Sequence, residues 1–569
     1  MNPFLLEIVK NALETIADEL ALIVMRTAYS SIVRDAMDFS TAICDREGRT
    51  LAQGLTTPLH LGSFFAAMQN LLAVTARGGG AKAGEVYIFN DPYLAAGQHL
   101  PDIYIVKPIF IGGELEGWAT TVAHHNDVGG IVPGSNAIGS TEIYQEGLRL
   151  PVLKLVDAGR ANQAIWDLIA ANVRVPDKVI GDLRAQIAAC HVGEREFAAL
   201  FARYGSPLLR QAFAAVHDYA ERLTRAEITE IPDGVYRFEN HIDGFGEDPE
   251  PIPFRVTLTV RGDKAIVDWT GTSPQVPAGI NSPVPFTYAA VYTALRSVLS
   301  SDIPNAQGFT RPIEVIAPLG TIANPRPPAA CGARGITGFR MIDCLMGALA
   351  QAVPERVPAD GSGGSTLPSI GGLHNGRAFV NVETLMGTWG AAPTHDGQEG
   401  VAHMGANQSN VPIEMIEAEH PLRIEQYGLV PDSGGPGRYR GGQSMVREYR
   451  LLADEAVLSV RSDKRRFPPY GLHGGGPGAP SINIVNGKTV LPTLMMKPYP
   501  LKKGDVFRHQ LAGGGGYGDP LEREVELMQR DVVQGRVTLA HAREAYGVVL
   551  NPDLSVDARA TAALRSRRA

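Results

Sequence analysis

The spacing of apolar side chains divides the chain into helical and strand-like tracts. In residues 3–26 they recur with a period near 3.6, as Leu5, Ile8, Val9, Leu13, Ile16, Leu20 and Ile23. That pattern predicts one long amphipathic helix, with Asn2 as its cap. Residues 61–74 predict a second helix, and His60 just before it reads as a local cap or hydrogen-bonding residue. Between the two, residues 39–44 and 50–53 read as paired strands around a turn at 45–49. Residues 86–89 add a strand. Helical spacing returns over 164–173, 177–197 and 207–225. Period-two alternation follows in YRFENHID, FRVTLTV and AIVDWTG between 234 and 269, with Gly262 in a hairpin turn. Helices are expected at 288–299 and 340–353, the latter apolar on all sides and therefore buried. Short strands at 378–384, 446–452, 456–460, 481–485 and 506–511 lie among glycine-rich turns. A helical hairpin at 522–534 and 539–546 precedes an amphipathic or frayed tail after Asn551.

The expected fold class is α+β, a large mixed chain with several antiparallel or mixed sheets. Four regions are expected: an N-terminal α+β region over 1–160, a helical lobe over 161–230, a glycine-rich α+β region over 231–520, and a C-terminal helical hairpin with its tail over 521–569. The helical lobe and the hairpin are candidate contacts for a partner chain or a second copy.

The most informative stretch runs from 89 to 130. Its strand-like runs at 103–110 and 117–123 are joined by a turn at Ile111, Gly112 and Gly113. Two strands joined this way bring their outer ends together. His99 and Asp102 at the entry should therefore meet His124, His125 and Asp127 at the exit. Imidazoles and carboxylates at one sheet end are a ligand set for Zn, Mn or Fe(II); adjacent loop histidines also serve as plain hydrogen-bonding groups. Asp38, just before a strand, reads as a cap ahead of a metal ligand. The irregular loop at 129–150, with Glu142, Glu146 and Arg149, reads equally as a cover over a site and as a solvated excursion.

Composition narrows the function classes. The 569 residues carry a net charge of −8 without long basic runs, which argues against nucleic acid as a partner. Cys44, Cys190, Cys331 and Cys344 lie far apart with no metal-type pair, as expected in a reducing compartment. The N-terminus lacks signal-peptide character and no membrane span is expected, so the cytoplasm is the expected location. The glycine runs do not form a nucleotide site. Gly487-Lys488-Thr489 ends like a P-loop, but Ile482 stands where the first glycine is required. GGPGRYRGG lacks GxGxxG spacing, and no GxSxG elbow occurs.

With these residues in view, nearly the whole chain resembles the B subunit of the hydantoinase/oxoprolinase family. The marks are MDFSTAICDREGRTLAQG, NDPYLAAGQHLPDIYIVKPIF, VAHHNDVGG, WTGTSPQVPAGINSP, DSGGPGRYRGG and GGGGYGDP. The resemblance implies a partner A subunit that binds ATP and phosphorylates a cyclic amide, a hydantoin or lactam. Hydrolysis would then be completed in this chain at a divalent metal. It implies His99, Asp102 and His124 as ligands, Asp38 as a fourth, and His125 and Asp127 as ligand-orienting or proton-transfer groups. It also implies a hetero-oligomer with two copies of each chain. Related carboxylases use the same pairing, so a ketone-carboxylase component is an alternative. A non-catalytic scaffold for the A subunit is another.

Overall fold

A computed structural model describes residues 1–54, 57–60, 62–300, 302–364 and 366–568. Among these residues there are four sheets. The first has seven strands, numbered here in chain order: β1 (Phe39–Asp45), β2 (Thr50–Gln53), β3 (Val86–Phe89), β4 (Asp102–Ile111), β5 (Glu114–His124), β6 (Leu153–Asp157) and β7 (Arg160–Ala161). Their order across the sheet is β2-β1-β5-β4-β3-β6-β7, and every pairing is antiparallel. The β4–β5 hairpin turns through Gly112 and Gly113, both at positive φ, which glycine adopts without a Cβ clash.

Both faces of this sheet are covered, so its central strands are apolar on both sides. Ile103 and Ile105 join the core formed with helices Pro3–Thr27 and Pro176–Tyr204. Tyr104 and Val106, one residue out of phase, join Phe64, Ala67 and Met68 of helix Ser63–Arg77 on the other face. Asn2 caps the first helix, accepting from Phe4 N–H at 3.0 Å. The helix expected from 61 begins at Ser63; Leu61 lies outside the described residues. The tract Pro58–Arg77 has the length and apolarity of a membrane span, but about half of it (53%) is buried inside the protein. The helices after residue 160 share the core of the first sheet, since Pro176–Tyr204 lies against Pro3–Thr27, β4 and β5.

The second sheet, Gly234–Ile242, Ile252–Arg261, Lys264–Asp268 and Ile313–Ile316, packs on helix Gly335–Ala352. All of that helix except Gln351 is buried. It starts five residues before the expected 340 because Gly338, which weakens a helical reading, is needed for packing. A Cβ there would meet Phe286 at 2.2 Å. The strands Leu367–His374, Leu422–Leu429 and Tyr499–Lys502, which sequence reasoning missed, complete the third and fourth sheets.

The glycine runs pack backbone against backbone. Gly435 N–H donates to Gly514 C=O at 2.7 Å, Gly514 N–H to Gly442 C=O at 2.8 Å, and Gly516 N–H to Gly476 C=O at 2.9 Å. At the C-terminus the expected helices appear as Val525–Val533 and Leu539–Tyr546. The tail adds a third, Ala558–Arg565, whose Arg565 donates to Arg523 C=O at 2.7 Å.

Candidate metal centre

Strand register builds the centre. Asp102, the first residue of β4, pairs with His124, the last of β5. Across the other edge of β5, Phe39 of β1 pairs with Ala123, and His124 N–H donates to Asp38 C=O at 2.9 Å. Asp38, His124 and Asp102 thus form a row over three adjacent strands. His99 joins it through a tight turn in which Asp102 N–H donates to His99 C=O at 3.1 Å.

The side chains converge. His99 Nε2 lies 2.9 Å from Asp102 Oδ1 and 3.1 Å from His124 Nδ1. His124 Nδ1 lies 3.3 Å from Asp102 Oδ1. All three residues are buried, with one donor atom from each within 4.8 Å of the others. Asp38 Oδ2 stands at the edge, 4.0 Å from His124 Nδ1.

The electrostatics suit a cation. His99 Nδ1 sits 2.8 Å from Gly332 C=O; a carbonyl only accepts, so Nδ1 carries the proton and Nε2 presents its lone pair. Burial first, then the charge of Arg334, pushes His99 down to about 3. Burial disfavours an ionised Asp102. Arg334, bonded to Oδ2, and the two imidazoles nevertheless hold its carboxyl well below the ordinary value. A lone pair facing a carboxylate oxygen at hydrogen-bond distance is repulsive unless positive charge lies between them. Two imidazoles and a carboxylate suit a borderline divalent ion, so the residues present fit one.

The loop at 129–150 braces this centre. The Glu146 carboxylate accepts from Cys331 N–H at 3.0 Å and Gly332 N–H at 2.6 Å, and Gly332 in turn holds His99. Burial pushes Glu146 up to about 8 against those two donors. An unfolded glutamate titrates near about 4.3, so between these values the folded chain holds a proton that the unfolded chain has released. The resulting stability is fully present below the unfolded value and is lost as pH rises through the folded one. The urea midpoint should therefore fall from about pH 5 to about pH 8, and Glu146→Gln should flatten that fall.

Two expected participants are engaged elsewhere. His125 Nε2 meets Gln186 Oε1 at 2.9 Å. Asp127 accepts from the backbone N–H groups of Gly129, Gly134 and Arg174 and pairs with the Arg174 guanidinium at 2.9 Å. These contacts tie His125 to the covering helix and Asp127 to the loop at 129–150. Sequence reasoning gave His60 only a local role. Its Nδ1 meets Ser40 Oγ at 2.8 Å and its Nε2 stands 3.8 Å from Asp102 Oδ2. Arg334 and Arg461 were missed altogether. A pocket of about 380 Å³ opens on the cluster, with Asp38, His60, His124, Phe286, Arg334 and Arg461 in its wall.

Known proteins share this architecture. The family model for hydantoinase B/oxoprolinase matches residues 2–520. The chain belongs to that family. It is 35% identical to a Pseudomonas sp. (strain NS671) protein provisionally named as the B subunit of a D-/L-hydantoinase, over 99% of this chain and 98% of that one. It is 32% identical to the beta subunit of the caprolactamase of Pseudomonas jessenii, over 100% and 99% of the two chains. It is also 29% identical to the 5-oxoprolinase of Dictyostelium discoideum, over 91% of this chain but 40% of that longer protein. Among solved structures, the ATP-dependent caprolactamase from Pseudomonas jessenii superposes with a TM-score of 0.93 at 30% identity, covering both chains fully. Acetone carboxylase shares the fold, with a TM-score of 0.91 at 22% identity over 100% of this chain and 83% of that one. Within this hydantoinase B/oxoprolinase fold, the His99–Asp102–His124 cluster is the one metal-type grouping of His, Cys, Asp or Glu among the described residues.

Proposed function

We propose that this chain is the B subunit of an ATP-dependent cyclic amidohydrolase, finishing the hydrolysis of an amide that has been activated by phosphorylation in a partner A subunit. One observation carries the reading: a buried cluster of two imidazoles and a carboxylate borders a pocket whose wall includes two guanidinium groups. The full-length likeness to the beta subunit of a caprolactamase supports it. So does the match to 40% of a longer 5-oxoprolinase. The four buried free cysteines suit a reducing cytoplasm.

An amide carbon is a poor electrophile, and a phosphorylated amide oxygen becomes a leaving group. In our reading His99, Asp102 and His124 hold a divalent ion, with Asp38 completing the set. That ion supplies Lewis acidity and brings the pKa of water toward neutrality. Arg334 and Arg461 present guanidinium donors to an anionic phosphoryl group. Arg334 is itself steadied over the Phe286 ring at 4.3 Å and bonded to Asp102, so ligand charge and substrate charge share one scaffold. His60, fixed by Ser40, is positioned to accept or return a proton at Nε2. Phe286 and Phe339 in the same wall limit water access.

The test is a reconstituted A–B complex given hydantoin, 5-oxoproline and caprolactam with ATP, alongside acetone with labelled bicarbonate. ATP-dependent ring opening of at least one cyclic amide is expected, with no label fixed. Carbon fixation without ring opening would replace this reading with the carboxylase.

A further inference from the structure

A second pocket lies beside the middle of helix Gly335–Ala352. It has about 340 Å³ of empty space and is bordered by Asp343, Asp360, Trp389, His403, Met404 and Tyr470. Lys464 Nζ donates to Asp360 Oδ1 at 2.6 Å and to Gly361 C=O at 2.7 Å, and forms an ion pair with Asp343 Oδ2 at 2.8 Å. Arg340 is bonded to Asp463 and stands 3.9 Å from Asp343. His403 Nδ1 accepts from Gly405 N–H at 3.0 Å, so its Nε2 carries the proton donated to Asp343 Oδ1 at 2.9 Å. Three carboxylates therefore face two permanent cations, and one negative charge is left over.

The surplus falls on Asp360. Its side chain is 1% exposed and its Oδ2 makes no hydrogen bond; Asp343 Oδ2 makes none either but has the Lys464 ammonium 2.8 Å away. Its Oδ1 is held by Lys464, and its backbone is tied on both sides. Asp360 N–H donates to Tyr470 C=O at 3.0 Å, and Asp360 C=O accepts from Gly515 N–H at 2.8 Å. Burial, then the charge of Asp343, pushes the Asp360 carboxyl up, so the empty pocket favours a proton where a counter-cation is missing. The remaining wall is aromatic and apolar, with Trp389, Tyr470, Met346, Met404 and Pro358.

We infer that this pocket binds a small primary ammonium ion on a short alkyl stem, its nitrogen donating to Asp360 Oδ2 and its stem lying among Met346, Trp389 and Met404. An ammonium supplies the missing charge, a hydrogen bond to a charged acceptor and apolar contact together. A metal ion suits the pocket less well, because Lys464 already occupies the position between the two carboxylates. Opening a lactam generates an amine on an alkyl chain, a ligand of this class. The binding test needs neither turnover nor the metal centre, so its outcome is separable from that of the ring-opening reading.

The test is calorimetric titration of the purified A–B complex with n-butylammonium at about pH 8, using n-butanol as the uncharged isostere. Saturable binding is expected, with n-butanol at least about tenfold weaker. Asp360→Asn, which keeps shape and removes charge, should weaken butylammonium about tenfold. Met346→Trp, which fills the apolar end, should abolish binding, with circular dichroism confirming that both variants fold. Equal binding of butanol, absence of saturable binding to the wild-type complex, or undiminished affinity in the folded variants would each overturn the inference.

Discussion

His99→Ala should empty the centre of metal and lower ring opening by about a thousandfold or more. The reasoning runs through the geometry. His99 Nε2 faces both Asp102 and His124, so its removal takes away the atom that touches both other donors. The structural cost is bounded: one buried hydrogen bond to Gly332 is lost, worth about 1–3 kcal/mol. The variant should therefore purify folded, and elemental analysis beside circular dichroism separates lost metal from lost fold. Asp102→Asn is the harsher change, because it leaves the Arg334 guanidinium buried without its carboxylate, a loss of about 3–5 kcal/mol. Asp127→Asn supplies the contrast. It should loosen the loop that Asp127 ties to Arg174 and leave metal content at the wild-type level. Wild-type metal content in folded His99→Ala would remove the basis for the centre.

The second large effect is expected far from the metal. Gly441→Ala would place a Cβ 1.9 Å from Gly514 C=O and 2.8 Å from Gly515 C=O. Neither obstacle is a side chain that can rotate away, so the two backbone segments must separate. Overpacking of this kind costs upward of about 3 kcal/mol, and in a chain of this length the melting temperature should drop by at least about 2–3 °C. Gly428→Ala is the control, since nothing lies within 4 Å of a Cβ there. It should change stability by less than about 0.5 kcal/mol. Equal melting temperatures for the two variants would show that the glycine packing contributes little.

How far the sequence could be read follows from which interactions are local. The hairpin that joins His99 and Asp102 to His124 was legible, because a two-glycine turn and the period-two strands around it are encoded within 26 residues. The Asp38 side chain was ambiguous because its neighbour across the sheet comes from a strand about 80 residues later. His60, Arg334 and Arg461 were hidden for the same reason: they reach the pocket from three separate parts of the chain, and no spacing rule links them. For His124 and His125, adjacency in the chain suggests a shared task. Successive residues at a strand end point to opposite faces, and here the partner of His125 is Gln186 on a covering helix. The glycine runs pack against one another, a purpose that depends on their meeting and that one run cannot reveal.

The hairpin also acts as a ruler. From Ile111 back to Asp102 is nine residues, whereas from Glu114 forward to His124 is ten, and the register break between Ile109 and Phe110 absorbs the difference. Without that break Asp102 would sit opposite Ala123, and the imidazole of His124 would be displaced from it. A shortened chain lacking Glu116 restores an even ladder and keeps the two donors opposed. A chain lengthened by one residue there must widen the irregularity or turn its imidazole to the wrong side of the sheet. Deletion and insertion at a single position, roughly 25 Å along the strand at about 3.4 Å per residue, thus have opposite consequences for the pairing of Asp102 with His124.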